Sequence, residues 1–315
     1  MNPLIRAENL KKYFSTQKGR LHAVDGINLT INAGATLGVV GESGCGKSTL
    51  GRVMLRLLEA SAGAVYFAGK DLLKMSKREL EKFRKQAQII FQDPYASLNP
   101  RLSVCEIIME PLIVNKIYRT KREMEQCVFQ MMQTVGLAAR LINSYPHELD
   151  GGRRQRIGIA RALVLKPRFI VCDEPVSALD VSIQAQILNL LMDLQEELGL
   201  TYMFITHDLS VVRHISDEIA VMYLGQCIEK APAKELFHTP LHPYTKALLS
   251  AIPLPSLARR GRKRELLKGE IVSPIEPKAG CRFAPRCHKA GPGCAGRDIP
   301  FTQHLPGHFA ACLQL

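Results

Sequence analysis

The chain has 315 residues, 46% of them hydrophobic, and a formal net charge of +13, which allows one large domain or one domain with a small annex. No run of about 18 apolar residues could span a membrane, and MNPLIRAENLKKYF has no apolar signal core, so we expect a cytoplasmic protein. The positive charge favours an anionic neighbour. An anionic membrane surface fits at least as well as nucleic acid, because no RNA-recognition or zinc-finger pattern is present.

Hydrophobic periodicity predicts strands and helices that alternate along the chain. Residues 4–40 read as short strands, and TLGVV then runs into a glycine loop and a helix beginning at KST. Helical periodicity continues over residues 76–87, 102–143, 152–166, 182–198 and 208–216. Strands are predicted within SAGAVYFAGKDLL, QIIFQDP, RFIVCDEP and LTYMFITHD. This alternation favours a parallel α/β sheet covered by helices on both faces.

The segment GESGCGKST, from Gly41 to Thr49, fits the pattern G-x-x-x-x-G-K-[ST] and lies between an apolar strand and a helix. Its glycines allow successive backbone N–H groups to curl around phosphates. Lys47 can reach the β- and γ-phosphates, and Ser48 can ligate Mg²⁺. The alternative, a chance glycine-rich turn, does not explain the flanking elements. The segment therefore predicts a nucleoside triphosphate site.

Three other predicted strands end in polar side chains that suit this site. FIVCDEP delivers Asp173, which would hold Mg²⁺ through water, and Glu174, which would polarise the attacking water. FITHD ends in His207, which could bridge the γ-phosphate and that water. IIFQDP ends in Gln92, whose amide oxygen suits Mg²⁺. Each alone could be an ordinary loop or strand-cap residue. Together they predict Glu174 and His207 as catalytic.

These motifs, in this order, resemble those of the ATP-binding cassette ATPases over residues 1 to about 250. The resemblance implies a P-loop NTPase core with a mostly parallel sheet, an N-terminal antiparallel β-subdomain and an inserted α-helical subdomain over about 93–160. It places Asp180, in SALD, in the D-loop. It also implies that Phe14 stacks on the adenine ring, with Tyr13 as the alternative aromatic for this role. The nucleotide-binding residues it implies are Gly41, Ser43, Gly44, Cys45, Gly46, Lys47, Ser48, Thr49, Gln92 and Asp173.

A narrower resemblance is carried by IFQDPYASLNPR and LFHTPLHPYTKALLSAIP, which are similar to stretches of the oligopeptide/dipeptide importer ATPases, a subfamily that includes nickel importers. It implies ATP and Mg²⁺, a second ATPase subunit, two membrane permeases and, indirectly, an extracellular substrate-binding protein. The expected location is peripheral, on the cytoplasmic face of the membrane. Peptide import is the expected function, with nickel import as the alternative.

Two other function classes are less consistent with the sequence. A soluble cassette ATPase acting on nucleic acid or ribosomes usually carries two cassettes or a long insertion, whereas this chain has one cassette and the HPYTKALL segment. A P-loop kinase or GTPase would lack the series formed by Gln92, the acid pair and His207, and no guanine-reading N-K-x-D motif is present. We therefore expect no nucleic-acid partner.

The stretch YPHELDGGRRQR departs from the family pattern. The resemblance makes it the signature loop, usually L-S-G-G-Q, which closes over the ATP of the partner subunit. Here it reads Leu149, Asp150, Gly151, Gly152, Arg153. Asp caps a helix as well as Ser does, but an ionised carboxylate can only accept hydrogen bonds. A like-charge pair at about 4 Å costs about 4 kcal/mol at an effective dielectric of about 20, part of which Arg153, Arg154 or Mg²⁺ could offset. We therefore expect one weak and one active ATP site, with a compensated, working signature loop as the alternative.

The C-terminal part carries a cysteine group. We expect an ATPase domain over residues 1–252. Residues 253–315 are expected to form a linker, near 253–265, followed by a C-terminal extension. Cys281, Cys287, Cys294 and Cys312 suit a [4Fe–4S] cluster or Zn²⁺. The sequence has no C-x2-C pair, which makes it less consistent with a zinc site than with an iron–sulfur cluster. In addition, CRFAPRC resembles the subfamily region where some members hold an iron–sulfur cluster. The alternative is four reduced thiols. Weaker candidate ligands are His288, His304 and His308.

Overall fold

The computed structural model describes residues 3–251 and 273–315, so the predicted linker at 253–265 lies outside the described residues. The strands are β1 (Pro3–Thr16), β2 (Gly19–Asn32), β3 (Thr36–Val40), β4 (Ala62–Phe67), β5 (Lys70–Asp71), β6 (Ala87–Ile90), β7 (Phe169–Asp173), β8 (Thr201–Ile205), β9 (Glu218–Tyr223), β10 (Gln226–Pro232), β11 (Thr302–Leu305) and β12 (His308–Ala310). The helices are α1 (Lys47–Met54), α2 (Lys77–Gln86), α3 (Pro94–Ser97), α4 (Val104–Val114), α5 (Lys121–Thr134), α6 (Gly151–Leu163), α7 (Val181–Leu198), α8 (Leu209–Ile215), α9 (Ala233–His238) and α10 (Pro243–Ala251).

The chain divides into two compact units. The first unit comprises Met1–Ile31, Thr36–Leu73 and Thr206–Leu315, and the second comprises Asn32–Ala35 and Lys74–Ile205. The helical subdomain expected over about 93–160 falls inside the second unit, and the C-terminal extension falls inside the first. The division at residue 252 stays a prediction.

The first unit contains two layers of strands. An antiparallel sheet has the strand order β2-β1-β4-β5, and a second set runs β11-β12-β10-β9-β3. In that second set only β3 and β9 pair in parallel, whereas β9, β10, β12 and β11 pair antiparallel. The antiparallel N-terminal sheet agrees with the expected β-subdomain. The antiparallel C-terminal strands make this part of the structure mixed.

In the second unit, β8, β7 and β6 form a parallel set, with Asp173 paired to Ile205 at the end of two strands. Every residue of β7 and of β8 is buried. Such continuously apolar strands are typical of parallel sheets covered on both faces. The carboxyl ends of these strands therefore deliver the predicted site residues to one edge.

Two details of the strand prediction were wrong. The first two strands are not short, since each is 14 residues long. In β1, Leu4 and Ile5 are both buried although successive strand residues face opposite sides, so no clean period of two marked the length of the strand. The strands β9 and β10 were not assigned from the sequence. They are joined by a tight turn in which Leu224 and Gly225 have positive φ, and this turn carries no Asn-Gly or Asp-Gly signal.

Helix starts follow local sequence signals. Helices α2, α4 and α5 each begin with a capping box, in SKRE, SVCE and TKRE, in which the hydroxyl side chain and the Glu three residues later exchange hydrogen bonds with the backbone. Within residues 3–251 and 273–315, no helix combines the length and hydropathy that crossing a bilayer requires.

Candidate nucleotide site

The phosphate loop lies in the first unit, between the fully buried strand β3 and helix α1. Lys47 is 5% exposed, and its Nζ donates to the carbonyl oxygens of Gly41 at 2.8 Å and Glu42 at 3.0 Å. Gly46, the residue before helix α1, supplies no side-chain cap. A buried cation beside uncapped helix N–H groups favours an anionic ligand.

The loop shape depends on glycine at two positions. Gly46 has φ +103°, and a Cβ there would lie 1.9 Å from the carbonyl oxygen of Ala23. Gly41 has φ +152°, and a Cβ there would lie 2.2 Å from the carbonyl oxygen of Met222. Both positions exclude any other residue because backbone, which cannot rotate away, occupies the space. Packing against the neighbouring backbone therefore requires the two motif glycines, in addition to any requirement of phosphate binding.

The other residues of the loop lie around this frame. Ser43 and Gly44 are exposed, and Ser48 and Thr49 are half-buried. Cys45 is 3% exposed, and burial raises the pKa of its thiol. Its carbonyl accepts a hydrogen bond from the N–H of Gly225 at 2.9 Å, so Cys45 anchors the loop to the β9–β10 turn and points its thiol inward.

His207 lies in the same unit as the phosphate loop. The preceding residue, Thr206, donates its N–H to the carbonyl of Val39 at 3.1 Å, which places His207 beside the end of β3. His207 is exposed, and Asp208 caps α8 by accepting from the N–H of Ser210 at 2.7 Å. The strand-end position expected from FITHD is therefore observed. The catalytic role of His207 stays a prediction.

In the second unit, the structure brings together two residues that are 82 positions apart. Gln92, two residues beyond β6, donates its Nε2 to Oε2 of Glu174 at 2.9 Å. Glu174 follows β7, has φ +49° and donates its N–H to the carbonyl of Ile205 at 2.9 Å. A glutamate held in left-handed backbone is rare and marks a position fixed by its surroundings. Asp173, which precedes it, is 3% exposed.

The signature segment of the second unit forms an ordinary helix start. Asp150 caps α6, because its Oδ1 accepts from the N–H of Arg153 at 2.7 Å. Its Oδ2 lies 3.4 Å from Nε of Arg153, so the cap is paired with a cation. Both side chains are about half exposed, at 57% and 48%. The two residues that depart from the usual signature, Asp150 and Arg153, therefore form an ion pair. This pair and the helix N-terminus partly offset the charge of the Asp150 carboxylate.

The two signature glycines allow close packing within the second unit. A Cβ on Gly152 would lie 2.7 Å from Cγ2 of Ile183, and one on Gly151 would lie 3.1 Å from Cδ2 of Leu179. Asp180 caps α7 by accepting from the N–H of Ile183 at 3.0 Å and from Oγ of Ser182 at 2.7 Å. The Ser182 and Ile183 hydrogen bonds lower the pKa of Asp180. Signature and D-loop residues therefore lie in direct contact.

Sequence reasoning missed two arginines of α6 that hold the segment after Gln92. The guanidinium of Arg154 lies 3.6 Å from the ring centroid of Tyr95, and Arg161 donates to the carbonyl of Ser97 at 2.6 Å. This cation–π contact and hydrogen bond link DPYASLNPR to the signature helix. Arg154 and Arg161 lie on the face of α6 opposite most of its apolar residues, so the helical period gave no signal for these contacts.

The two candidate adenine-stacking aromatics have different surroundings in the first unit. Tyr13 stacks on His22 with ring centroids 4.1 Å apart and donates its hydroxyl to Asp25 at 2.5 Å. Burial and this hydrogen bond raise the pKa of Tyr13 to about 12. Phe14 is half-buried, with Nζ of Lys12 4.9 Å from its ring centroid. The aromatic that the sequence favoured, Phe14, is the less engaged of the two.

The four C-terminal cysteines line one small cavity together with His242 and Phe283. All nine cysteines of the chain are free thiols, and burial raises the pKa of Cys281 and Cys312. No group of three or more His, Cys, Asp or Glu side chains in the described ranges is arranged to hold a metal ion. The structure therefore does not support the expected metal.

The candidate histidine ligands lie elsewhere. His288 and His304 are exposed. His308 is 1% exposed, and its Nε2 lies 2.7 Å from Oε1 of the fully buried Glu229. His308 thus forms a buried pair with a carboxylate on β10 and does not line the cysteine cavity; its role as a ligand stays a prediction.

The strand, glycine loop and helix of the first unit form the cradle by which proteins bind nucleoside phosphates through backbone N–H groups and a lysine. Together with the parallel strands that end at Asp173, they define the class of the molecule as a P-loop NTPase.

Comparison with known proteins narrows this class. Residues 24–177 match the ABC transporter family, and residues 228–294 match the family "Oligopeptide/dipeptide transporter, C-terminal region". The oligopeptide transport ATP-binding protein OppF of Haemophilus influenzae is 51% identical, over 98% of this chain and 94% of its own. The dipeptide transport ATP-binding protein DppF of the same organism is 51% identical, over 99% and 97%.

Solved structures agree. The dimeric post-hydrolysis structure of the ATP-binding cassette MJ0796, bound to ADP and Pi, has a TM-score of 0.66 and is 30% identical, covering 73% of this chain and 98% of that one. CbiO1 from Clostridium perfringens, part of the ABC transporter complex cbiONQ, has a TM-score of 0.68 and is 30% identical, covering 76% and 92%. The chain therefore belongs to the ATP-binding cassette transporter ATPases, in their oligopeptide/dipeptide group. Membership implies ATP as the substrate and membrane permeases as partners.

Proposed function

We propose that this chain binds and hydrolyses ATP to power the import of di- or oligopeptides, at the cytoplasmic face of the membrane. The observation that carries the proposal is full-length similarity to peptide transport ATP-binding proteins, which extends through the C-terminal region at residues 228–294. Nickel import by the same kind of machine is the second candidate, because the subfamily resembled in the sequence contains nickel importers.

The residues of the site suggest a division of labour. The phosphate loop and Lys47 bind the triphosphate, and Phe14 stacks on the adenine. Ser48 and Gln92 offer hydroxyl and amide oxygens, which are the hard donors that Mg²⁺ prefers, and Mg²⁺ would offset phosphate charge when bound. Glu174 orients and deprotonates the attacking water, and its hydrogen bond to Gln92 holds the carboxylate in place.

We further propose that this chain works as half of a heterodimer of ATPase subunits. Its phosphate loop, Glu174 and His207 would be completed by an ordinary signature from the partner and would form the active site. The opposite site would be closed by Asp150, whose carboxylate faces phosphate with Arg153 as a partial counter-charge at 3.4 Å. That site would hydrolyse slowly, because the like-charge contact opposes closure.

The experiment is ATP-driven uptake by proteoliposomes that contain the chain with its permeases and partner ATPase, supplied with the binding protein. We expect uptake of labelled di- or oligopeptides. Glu174→Gln in this chain should lower uptake by about 100-fold, since a positioned general base contributes about 10²–10⁴-fold. Lys47→Ala should abolish uptake through loss of ATP binding. A transporter that accumulates ⁶³Ni²⁺ and not peptide would support the second candidate, and unchanged activity of Glu174→Gln would contradict the asymmetric pair.

We also propose a soft metal centre for the cysteine cavity. The proposal rests on the chemistry of the four thiols that line one cavity, since four thiolates are the donor set of a [4Fe–4S] cluster; in the described ranges no group of three or more His, Cys, Asp or Glu side chains is arranged to hold a metal ion. Protein purified without oxygen should contain iron and acid-labile sulfide, about four of each per chain, and Cys287→Ser should lose both. Protein that contains neither, with all four thiols titratable, would contradict this proposal.

A further inference from the structure

Glu42 occupies the second position of the phosphate loop, where the motif allows any residue. Its carboxylate accepts three hydrogen bonds from the guanidinium of Arg286, from Nη1 to Oε2 at 2.8 Å and to Oε1 at 3.1 Å, and from Nη2 to Oε1 at 3.1 Å. The side chains are 22% and 8% exposed. Such a parallel pair is the strongest geometry for an arginine and a carboxylate, and it joins the loop to the C-terminal extension.

The backbone of Glu42 is held as well. Its N–H donates to Oη of Tyr244 at 3.0 Å, and its carbonyl accepts from Nζ of Lys47 at 3.0 Å. Tyr244 is fully buried and packs against Tyr223 and Phe283, with ring centroids 4.7 and 5.4 Å away. The residue that receives the phosphate-binding lysine is therefore fixed by two side chains from beyond residue 240.

Arg286 is itself well placed to act as a fixed partner. It ends a short 3-10 helix, Ala284–Arg286, and its N–H donates to the carbonyl of Phe283 at 2.9 Å. Phe283 is 1% exposed, and Cys281 and Cys287 flank the segment.

We propose that Arg286 and Tyr244 are positioning residues for the phosphate loop, and that Arg286 neutralises a carboxylate which would otherwise oppose ATP binding. A glutamate inside a phosphate-binding loop repels the triphosphate unless a cation compensates it. The C-terminal extension therefore sets the ATP affinity of this subunit. This inference rests on the proposed assignment of Gly41–Thr49 to ATP.

Binding by the purified full-length chain tests the proposal, with trinitrophenyl-ATP as the fluorescent probe and unlabelled ATP as the competitor. Arg286→Gln should weaken ATP binding about tenfold, because it leaves a partly buried carboxylate unpaired. Glu42→Gln combined with Arg286→Gln should recover most of that loss, since the double variant restores charge balance. The ATP affinity of Arg286→Lys should lie between those of the natural chain and Arg286→Gln, because a lysine keeps the charge and loses the paired geometry. In the transporter, Arg286→Gln should raise KM for ATP with little change in kcat.

Arg297→Gln is the matched control, since Arg297 is an exposed arginine of the same extension; it should bind ATP as the natural chain does. Tyr244→Phe, which removes one hydroxyl, should also weaken binding and serves if Arg286→Gln does not fold. Natural affinity in folded Arg286→Gln, or a double variant no better than Arg286→Gln, would overturn the proposal. A Lys47→Ala chain that retains ATP affinity would instead overturn the assignment of the ATP site.

Discussion

His242 shows how burial changes a single titratable side chain. It is 1% exposed, and its Nδ1 accepts a hydrogen bond from the N–H of Tyr244 at 3.1 Å. Burial lowers the pKa of His242 from 6.5 to about 4, because the cation would lose its hydration. The ring is therefore neutral at pH 7. As an acceptor, it fixes the start of the helix that carries Tyr244.

This burial predicts acid sensitivity. Between pH 6.5 and pH 4 the unfolded chain binds a proton at this residue and the folded chain does not, so stability is full above pH 6.5 and falls as the pH drops. His242→Asn keeps an acceptor and removes the titration. The natural chain should lose about 2–3 kcal/mol more than this variant between pH 7 and pH 4.5. Denaturant unfolding at several pH values measures this, and parallel pH profiles for the two proteins would contradict it.

At the scale of elements, α6 serves two purposes at its N-terminus. Asp150 caps the helix, and Gly151 and Gly152 let its first turn pack closely on Leu179 and Ile183. Neither contact needs the usual serine. The local fold therefore tolerates the aspartate, and under the proposed function the effect of Asp150 would fall on the ATP of the partner subunit.

Two variants separate the cap from the contact in trans. Asp150→Ser should leave thermal stability within a few tenths of a kcal/mol, because Ser and Asp cap equally, whereas Asp150→Ala should cost about 1 kcal/mol. In the reconstituted pair with an ordinary partner signature, Asp150→Ser should raise ATP turnover about twofold, since it activates the second site. Thermal melts and steady-state ATPase assays give the two readouts. Turnover unchanged by Asp150→Ser would mean that the Asp150–Arg153 pair is a working variant.

At the scale of the whole chain, the C-terminal residues return to the first unit. Ile275 forms a β-bridge with Leu21, and the carbonyl of Pro274 accepts from the N–H of His22 at 3.0 Å. Strand β12 pairs antiparallel with β10, where His308 meets the buried carboxylate of Glu229. The extension is thus built into the unit that holds the phosphate loop, which gives it a route to influence ATP binding.

Much of the fold and site was predictable from the sequence because the signals are local. Capping boxes at Ser76, Ser103 and Thr120 mark helix starts within four residues. Apolar runs mark the buried strands that end at Val40 and Asp173. The glycines of the phosphate loop mark its shape, since only they adopt its positive φ. In each case, the interacting groups are neighbours along the chain.

Other features were decided only by the tertiary structure. Glu42 and Arg286 are 244 positions apart, and Glu229 and His308 are 79 apart. No period or spacing links such residues, because their meeting depends on which strands pair and where the chain returns. The sequence by itself determined an ATPase of the cassette family, through motifs whose parts are adjacent. The three-dimensional fold alone determined that an arginine beside the cysteines compensates a carboxylate in the phosphate loop, since a buried charge requires a partner wherever the fold can supply one.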